Sequence, residues 1–413
     1  MSNRFFRPKR SSKPKTTSFR GPSPSHAPSH GRGGSRGSHN GGGRTGGKID
    51  ISKFIHMPVA FKEAPAPYVP QIQFNDFEIS EKLKQNIIAK GYKTPTPIQD
   101  KSINYILSGL DIVGIANTGT GKTAAFLIPL INKVMLNRQE RVLIVVPTRE
   151  LALQIQEELF GFTKMLSIYS VLCIGGANIG PQIAGLKRQC NFVIGTPGRL
   201  KDLISRRILN LSQFKNIVLD EADRMLDMGF IHDIRFLVSH MPKERQSLFF
   251  SATISPEIQS LIKDFLDQPI TVSVKSGETA VNVEQDVIRV TRDKKMDVLH
   301  DLLIKQEFQK VLIFGRTKHG VEKLSVSLAK RGFSVDSIHG NKSQYKRQKT
   351  LNMFKTNKLQ ILVATDVAAR GLDIESVSHV INYDLPATYD DYVHRIGRTG
   401  RADKKGKALT FIE

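Results

Sequence analysis

The sequence ANTGTGKT at residues 116–123 gives the strongest indication of how this chain folds. The apolar residues 112–115 before it predict a buried strand, and residues 124–128 after it predict a helix. A strand, a glycine-rich turn, Gly-Lys-Thr and a helix in this order indicate a phosphate-binding loop. The strict pattern has glycine where Ala116 stands, so the loop has the looser Ala/Gly form. An ordinary glycine-rich turn is the alternative, and Gly-Lys-Thr in this context disfavours it.

The residues of this loop suit the binding of phosphate. Gly119 and Gly121 let the backbone curl so that its N–H groups point at phosphate oxygens. The N-terminus of the following helix adds partial positive charge. Lys122 can reach the β and γ phosphates of a nucleotide, and the Thr123 hydroxyl can hold Mg²⁺. The predicted nucleotide contacts within the loop are Thr118, Gly119, Thr120, Gly121, Lys122 and Thr123.

Length and composition limit the classes of protein that fit. The 413 residues are enough for about two or three domains. The 61 Lys and Arg against 38 Asp and Glu give a net charge of +23, which favours an anionic partner. The two cysteines, Cys173 and Cys190, form no CxxC, which argues against a disulfide scaffold or a zinc site and favours the reducing cytoplasm. No apolar run approaches the roughly 18 residues of a membrane span, so we expect no membrane partner.

The N-terminal residues 1–48 carry eleven basic side chains and no acidic one. Such a segment buries too little apolar surface to offset its ordering entropy, so we predict a disordered Arg/Gly-rich tail. Residues 31–37, Gly-Arg-Gly-Gly-Ser-Arg-Gly, are similar to flexible basic tails that hold RNA without sequence preference. A solubilising linker is the alternative. Residues 49–73 form an approach segment to which the sequence assigns no function.

From residue 74 onward, apolar strands alternate with amphipathic helices. This alternation predicts an α/β fold with parallel sheets and helices on both faces. A small polar segment, 275–284, interrupts it and predicts a linker between domains 74–274 and 285–413. Helices are predicted from Ser80 to Lys90 and over 149–166, among others. The second domain has no Gly-Lys-Thr loop of its own.

A second chemical feature is the sequence Asp220-Glu221-Ala222-Asp223, which follows the apolar Val218-Leu219. Two carboxylates at a strand end beside a phosphate loop are what Mg²⁺–ATP chemistry requires. Asp220 can hold the metal, and Glu221 can orient and deprotonate the attacking water. Taken alone, these residues also fit a solvated acidic turn.

The order of these and further motifs resembles that of the DEAD-box RNA helicases of helicase superfamily 2. The resemblance extends from Phe74 to the C-terminus, and Asn117 and Thr120 replace the family's commoner Gln and Ser. In the first domain the matching segments are Phe74 with 91–99, 116–123, 147–151, 175–176, 196–199, 220–223 and 251–253. In the second domain they are 313–317, 339–340, 344–347, 364–373 and 394–401. The resemblance implies two tandem RecA-like domains, each a parallel sheet flanked by helices.

The family implies roles for the matching nucleotide-side residues. Phe74 belongs to the adenine-binding motif, in which Tyr92 packs on adenine and Gln99 forms a hydrogen bond to it. Asp373 contacts the ribose. Arg398 and Arg401 act as arginine fingers that stabilise charge on the transferring phosphoryl group. Lys122 and Glu221 complete the catalytic set. Residues that couple hydrolysis to movement are Asp223, Ser251, Thr253 and His394.

The RNA-side motifs consist mostly of hydroxyl, amide, guanidinium and glycine groups. Such groups suit contacts with the sugar–phosphate backbone, which position a strand without reading its sequence and can sense the 2′-OH. Each motif alone has an ordinary structural explanation, and their ordered occurrence carries the prediction. The predicted RNA contacts are Pro147, Thr148, Arg149, Gly176, Thr196, Arg199, Gln344, Arg347 and Thr365.

We therefore expect an ATP-dependent RNA helicase whose RNA-stimulated hydrolysis of ATP drives local separation of short duplexes. One alternative is an ATP-gated RNA clamp or scaffold, which the intact Glu221 and 251–253 disfavour. Another is a DNA helicase of the same superfamily, which Gln99, Thr148 and Arg149 disfavour. We also expect ATP and Mg²⁺ as cofactors, a monomer in the cytoplasm, and partners among ribosome-assembly or RNA-decay proteins.

Overall fold

Two parallel sheets, each flanked by helices, make up the computed structural model of the chain. It describes residues 68–117, 119–274, 283–369, 374, 377–400 and 406–413. Several predictions concern residues outside these ranges: the basic tail 1–48, most of the approach segment 49–73, segment 275–282, and the site residues Thr118, Asp373 and Arg401. Within the described ranges, no helix has the length and apolar character that crossing a membrane requires.

The first sheet contains the strand that precedes the phosphate loop. Its strands are β1 (Ile112–Ala116), β2 (Val142–Val145), β3 (Ser170–Cys173), β4 (Phe192–Gly195), β5 (Asn216–Leu219), β6 (Gln246–Ser251) and β7 (Ile270–Val274). Their order across the sheet is β3-β4-β2-β5-β6-β1-β7, and all neighbours are parallel. Its helices are α1 (Glu81–Ala89), α2 (Pro97–Leu107), α3 (Lys122–Leu136), α4 (Arg149–Phe162), α5 (Ile179–Leu186), α6 (Pro197–Ser205), α7 (Ala222–Asp227), α8 (Ile231–Ser239) and α9 (Pro256–Phe265).

The second sheet repeats this architecture. Its strands are β8 (Val283–Arg289), β9 (Val311–Phe314), β10 (Val335–Ile338), β11 (Ile361–Ala364), β12 (His379–Asn382) and β13 (Gly406–Ile412). They are parallel and lie in the order β10-β11-β9-β12-β13-β8. The helices are α10 (Lys295–Leu303), α11 (Lys318–Lys330), α12 (Gln344–Lys355), α13 (Asp366–Ala369) and α14 (Tyr389–Ile396). The predicted fold class, α/β with two RecA-like domains, is confirmed.

The strand sequences are apolar because both faces of each sheet are buried. Successive side chains of a strand point to opposite faces, so Ile112 packs in one hydrophobic cluster and Val113 in another on the other side of the sheet. In the second sheet Ile313 and Leu312 divide in the same way. This double burial explains the continuous apolar runs, which are typical of parallel sheets covered by helices.

The strand order decides which loops become neighbours, because parallel strands all end at the same edge of their sheet. Strands β5, β6 and β1 are adjacent, so the acidic sequence 220–223, Ser251–Thr253 and the phosphate loop leave side by side. We call this edge the phosphate-loop half. Strands β3, β4 and β2 are also adjacent, and they end at 175–176, 196–199 and 147–151, which we call the arginine half.

Local boundaries differ from the predictions at a few points. The helix predicted over 149–166 ends at Phe162 with Thr163 as its C-cap, and the positive φ angles of Met165 and Ser167, 60° and 52°, show that the helical backbone does not continue beyond it. Helix α1 lies within the predicted range from Ser80 to Lys90, with Ser80 at the N-cap and Lys90 at the C-cap. Strand β8 begins at Val283, inside the segment predicted as a linker. The sequence did not predict the short helices α5, α7 and α13.

Gly114 gives a test of how closely the first sheet is packed. A Cβ at Gly114 would lie 2.5 Å from the ring of Phe250, which is fully buried and packs against Phe126 with ring centroids 5.5 Å apart. The Gly114→Ala variant should therefore lose about 1–3 kcal/mol of unfolding free energy through overpacking. In urea unfolding, Gly198→Ala is the control because a Cβ there meets nothing within 4 Å. Equal unfolding free energies for the two variants would contradict this packing.

Candidate nucleotide and RNA site

The backbone of the phosphate loop contacts the side chain of Lys122, which belongs to the same loop. Gly119 and Gly121 have φ angles of +84° and +91°, a left-handed conformation that favours glycine. The Nζ of the buried Lys122 donates to the carbonyl of Ala116 at 2.9 Å, and Thr120 Oγ1 donates to the carbonyl of Asn117 at 2.8 Å. Helix α3 begins at Lys122, so an ammonium group and a helix N-terminus lie at one place, an arrangement that suits an anion.

Gln99 connects the predicted adenine-binding motif to this loop. Its Oε1 accepts from the backbone N–H of Thr96 at 2.9 Å, and its Nε2 donates to the carbonyl of Gly121 at 3.0 Å. A Cβ at Gly121 would lie 2.4 Å from Gln99 Nε2, so glycine is required for this close approach. The structure thus brings Gln99 to the phosphate loop, with its amide bonded to protein groups.

Tyr92 and Phe74 lie in one aromatic cluster beside α4. The ring of Tyr92 is 5.9 Å from that of Phe74 and 5.4 Å from that of Phe162. The Tyr92 hydroxyl donates to Glu158 Oε1 at 2.6 Å. Burial, together with this bond, raises the pKa of Tyr92 above its ordinary value. Phe74 itself is buried in the hydrophobic core, where it supports the half-buried Tyr92.

Asp220 follows β5 and is buried next to Lys122. Burial is the main cause that raises the pKa of Asp220 to about 6, and the positive charge of Lys122 opposes it. The backbone N–H of Glu221 donates to Asp220 Oδ1 at 3.0 Å. The Asp220 carboxylate and the Thr123 hydroxyl at the start of α3 are hard oxygen donors of the kind that Mg²⁺ prefers. The chemistry of these two residues therefore fits the predicted metal, whose binding stays a prediction.

Glu221 occupies a strained position at the start of α7. Its φ angle is +52°, which is uncommon for a residue with a side chain and costs free energy, so it persists only because the surrounding structure imposes it. Its carboxylate Oε2 pairs with Arg224 Nη1 at 3.1 Å, and both side chains are buried. Sequence reasoning predicted Glu221 but did not single out Arg224, which lies three residues away on the same helical turn.

Asp223 joins the ends of β5 and β6. Its Oδ2 accepts from the backbone N–H groups of Ala252 and Thr253 at 3.0 and 3.1 Å and from Thr253 Oγ1 at 3.3 Å. Ser251 Oγ donates to the Thr253 carbonyl at 2.7 Å. The structure therefore brings together three of the four predicted coupling residues. The fourth, His394, lies in α14, and its carbonyl accepts from Arg398 Nε at 3.4 Å.

The arginine half of the edge contains a cluster of guanidinium groups. Arg149 lies against Gly175 and Gly176, and a Cβ at Gly176 would be 2.1 Å from Arg149 Nη1. Burial lowers the pKa of Arg149, the charges of Arg347 and Arg199 lower it further, and that of Glu150 opposes them. Positive groups from both domains therefore lie within electrostatic reach of one another, which suits a polyanion.

Glu150 holds the two domains together beside this cluster. The buried Glu150 Oε2 pairs with Arg347 Nη2 at 2.9 Å, and Oε1 accepts from Gln344 Nε2 at 3.1 Å. Both partners belong to α12 of the second domain. The sequence motif contained Glu150, but sequence reasoning did not give it a role. An acidic residue within a basic motif was the signal that could have identified it.

The other RNA-side residues lie at strand ends. Thr148 is the N-cap of α4, with Oγ1 accepting from the backbone N–H of Leu151 at 3.3 Å, and Pro147 precedes it. Thr196 is the N-cap of α6, and Arg199 Nη1 donates to Gln182 Oε1 at 2.9 Å. In the second domain Thr365 follows β11.

Arg398 and Arg395 lie at the end of α14 in the second domain. Arg398 is buried and lines a closely packed region with Phe314, Asp366 and His394, among others. Arg395, which sequence reasoning did not single out, donates to Asp366 Oδ1 and Oδ2 at 2.5 and 2.8 Å. Its Nη1 also donates to Asn382 Oδ1 at 3.1 Å. The bonds from the Arg395 guanidinium therefore hold Asp366, the first residue of α13, in position.

These features define a class: a phosphate-loop nucleotide hydrolase of two RecA-like domains with a basic surface beside its nucleotide site. A family model described as DEAD/DEAH box helicase matches residues 96–261, and one described as helicase conserved C-terminal domain matches 294–403. The chain belongs to the DEAD-box family of ATP-dependent RNA helicases, which hydrolyse ATP and bind RNA.

Named relatives agree with this family. The ATP-dependent RNA helicase CshA of Listeria monocytogenes is 46% identical over 343 residues, covering 83% of this chain and 66% of that protein. The DEAD-box ATP-dependent RNA helicase CshA of Bacillus subtilis is 46% identical over 348 residues, covering 83% and 69%. The chain thus spans about two thirds of the length of these relatives. The structure of Saccharomyces cerevisiae Dbp5 bound to RNA and ADP BeF3 is similar, with a TM-score of 0.74, 28% identity and coverage of 83% and 89%.

Gly176 allows a test of the arginine cluster. A Cβ at Gly176 would displace Arg149, so Gly176→Ala should weaken RNA binding by roughly tenfold, the loss of about one charge-assisted contact, and leave ATP binding unchanged. Gly229→Ala is the matched control: Gly229 has a similar φ of +78°, but nothing lies within 4 Å of its Cβ position. RNA affinity is measured by fluorescence anisotropy. Equal affinities for the two variants would show that Arg149 does not need its present position.

Proposed function

We propose that the chain separates short RNA duplexes by closing its two domains around ATP and RNA and that hydrolysis reopens them. The observation that carries this proposal is the division of one sheet edge into a phosphate-loop half and an arginine half, each touched by the second domain. Arg224 Nη2 donates to the carbonyl of Val367 at 2.9 Å beside the first half, and Glu150 pairs with Arg347 beside the second. Closure at one half is therefore linked mechanically to closure at the other.

On the nucleotide side, Lys122 and the N-terminus of α3 hold the phosphates of ATP. Asp220 and Thr123 would hold Mg²⁺, which would neutralise part of the negative charge of the phosphates. Gln99 and Tyr92 form the adenine side, with Phe74 behind Tyr92. The ribose contact of Asp373 lies outside the described residues and stays a prediction. The other roles are supported by the oxygen donors near Lys122 and by the direct bond between Gln99 and the loop.

Hydrolysis itself requires a base and positive charge at the γ phosphate. Glu221 accepts a proton from the attacking water, since it follows the metal-binding Asp220 at the end of β5. Arg398 of the second domain stabilises the charge of the transferring phosphoryl group, and the same role for Arg401, which lies outside the described residues, stays a prediction. Asp223, bonded to Thr253, transmits changes at β5 to the end of β6, and His394 connects to Arg398.

On the RNA side, the arginine half binds the sugar–phosphate backbone. Its guanidinium, hydroxyl and glycine groups suit phosphate and 2′-OH contacts, which carry no sequence preference. The relatives are named RNA helicases, and the similar Dbp5 structure is titled as bound to RNA, which supports RNA rather than DNA. The retained Glu221 and Ser251–Thr253 disfavour a clamp without catalysis. Action as a cytoplasmic monomer with partners in ribosome assembly or RNA decay stays a prediction.

The test is steady-state ATP hydrolysis with a short RNA duplex, with DNA of the same sequence, and with neither. We expect RNA to stimulate turnover strongly and DNA to stimulate it little. In the same reactions, Glu221→Gln should cut turnover about 10²–10⁴-fold, as for other lost general bases, and the exposed control Glu244→Gln should not. Equal stimulation by RNA and DNA would contradict the RNA assignment. Full turnover by Glu221→Gln would contradict its role as the base.

A further inference from the structure

Arg224 contacts both the predicted base and the second domain. This buried arginine belongs to α7. Its Nη1 pairs with Glu221 Oε2 at 3.1 Å, and its Nη2 donates to the carbonyl of Val367 at 2.9 Å. Val367 lies in α13 of the second domain. One planar guanidinium therefore connects a carboxylate of the first domain with a backbone carbonyl of the other.

The chemistry of the three groups makes this connection rigid. A guanidinium presents its N–H groups in a fixed fork, so the directions of its two bonds are linked. Helix α13 is described over Asp366–Ala369, and its Val367 carbonyl accepts from Arg224 across the two domains. A buried charge pair is costly to separate, which keeps Glu221 on Arg224.

The position of the Val367 carbonyl is itself determined within the second domain. Asp366, the first residue of α13, is held by two bonds from Arg395, and Arg395 also donates to Asn382 of β12 and to the Asp384 carbonyl. A continuous series of bonds therefore runs from α14 through α13 to Arg224 and on to Glu221. Movement of the second domain moves the group that Arg224 contacts.

We propose that Arg224 is a positioning residue for Glu221 and that its bond to the Val367 carbonyl makes the alignment of Glu221 depend on contact between the domains. This proposal rests on the proposed role of Glu221 as the base. With the domains apart, Nη2 loses the Val367 carbonyl, and with it one of the contacts that set the direction of the guanidinium and of the paired carboxylate. With the domains in contact, Oε2 is held by Arg224 and the other carboxylate oxygen is directed to water. ATP hydrolysis would then wait for the closed, RNA-bound state.

The first test compares Arg224→Lys with Arg235→Lys. Lysine keeps the charge but cannot bridge both partners, so RNA-stimulated kcat should fall by about 10²-fold, a loss that small misplacements of catalytic groups cause. The KM for ATP and the affinity for RNA should change less than about twofold, because Arg224 is bonded to Glu221 and to the Val367 carbonyl and is not among the predicted nucleotide or RNA contacts. Arg235, which pairs with Asp264 on the exposed surface at 2.9 Å, is the matched control and should keep full turnover.

The ratio of turnover with RNA to turnover without RNA separates positioning from a merely structural role. We expect Arg224→Lys to lower the stimulated rate far more than the basal rate, because the Val367 contact matters only when the domains meet. The dependence on domain contact would be overturned if both rates fell by the same factor. It would also be overturned if the loss of activity were explained by a lowered melting temperature. Arg224→Gln, which is neutral and keeps an N–H donor, provides the same comparison if Arg224→Lys folds poorly.

A double-mutant cycle with Glu221→Gln tests whether Arg224 acts through Glu221. If it does, adding Arg224→Lys to Glu221→Gln should cost less than about threefold in turnover, since residues that act as a unit are not additive. If the turnover of the double variant falls by the product of the two single-variant losses, the proposal is overturned. If Glu221→Gln has full turnover, the proposed function of Glu221 fails. If Glu221→Gln is inactive and Arg224→Lys is normal, only the positioning proposal fails.

Discussion

Every strand of the first sheet runs in the same direction, and this constraint places all its functional loops at one edge. The order of the strands then divides the edge. Strands β5, β6 and β1 bring Asp220, Ser251 and the phosphate loop together, and β3, β4 and β2 bring Gly176, Thr196 and Arg149 together. Strand β5 lies next to β2, so the two halves meet without an intervening strand.

Buried polar contacts connect these loops to one another and to the second domain. Asp223 accepts a hydrogen bond from the backbone at the end of β6, and Glu150 forms an ion pair with α12. Arg224 donates a hydrogen bond to a carbonyl of α13. Buried polar and charged groups are costly without a partner, so each contact favours one defined arrangement and resists intermediate ones. A molecule built in this way changes between discrete states rather than deforming gradually, which is what a cycle of ATP binding and hydrolysis requires.

The fold and the chemistry of the nucleotide site could largely be predicted from sequence, since they depend on local signals. Gly121, Lys122 and Asp220 stand next to apolar strands, and both periodicity and residue type are visible in the chain. The roles of Glu150 and Arg224 could not be assigned from sequence, because their partners are distant in the chain. Gln344, which bonds Glu150, is 194 residues away from it, and Val367, which bonds Arg224, is 143 residues away from it. The sequence predicted that Gln99 contacts adenine, but it did not predict the hydrogen bond from Gln99 to the Gly121 carbonyl. That bond depends on a backbone turn that residue patterns do not specify.

Contact between the two domains should couple ATP hydrolysis to RNA binding, and the distance between the domains measures that contact. Fluorescent labels on Met165→Cys and Val326→Cys, at two exposed positions in different domains, report this distance by energy transfer, because Cys173 and Cys190 are buried. The short distance should be populated only with ATP and RNA together. An unchanged distance in all ligand states, in a protein whose ATP hydrolysis is still stimulated by RNA, would contradict the claim.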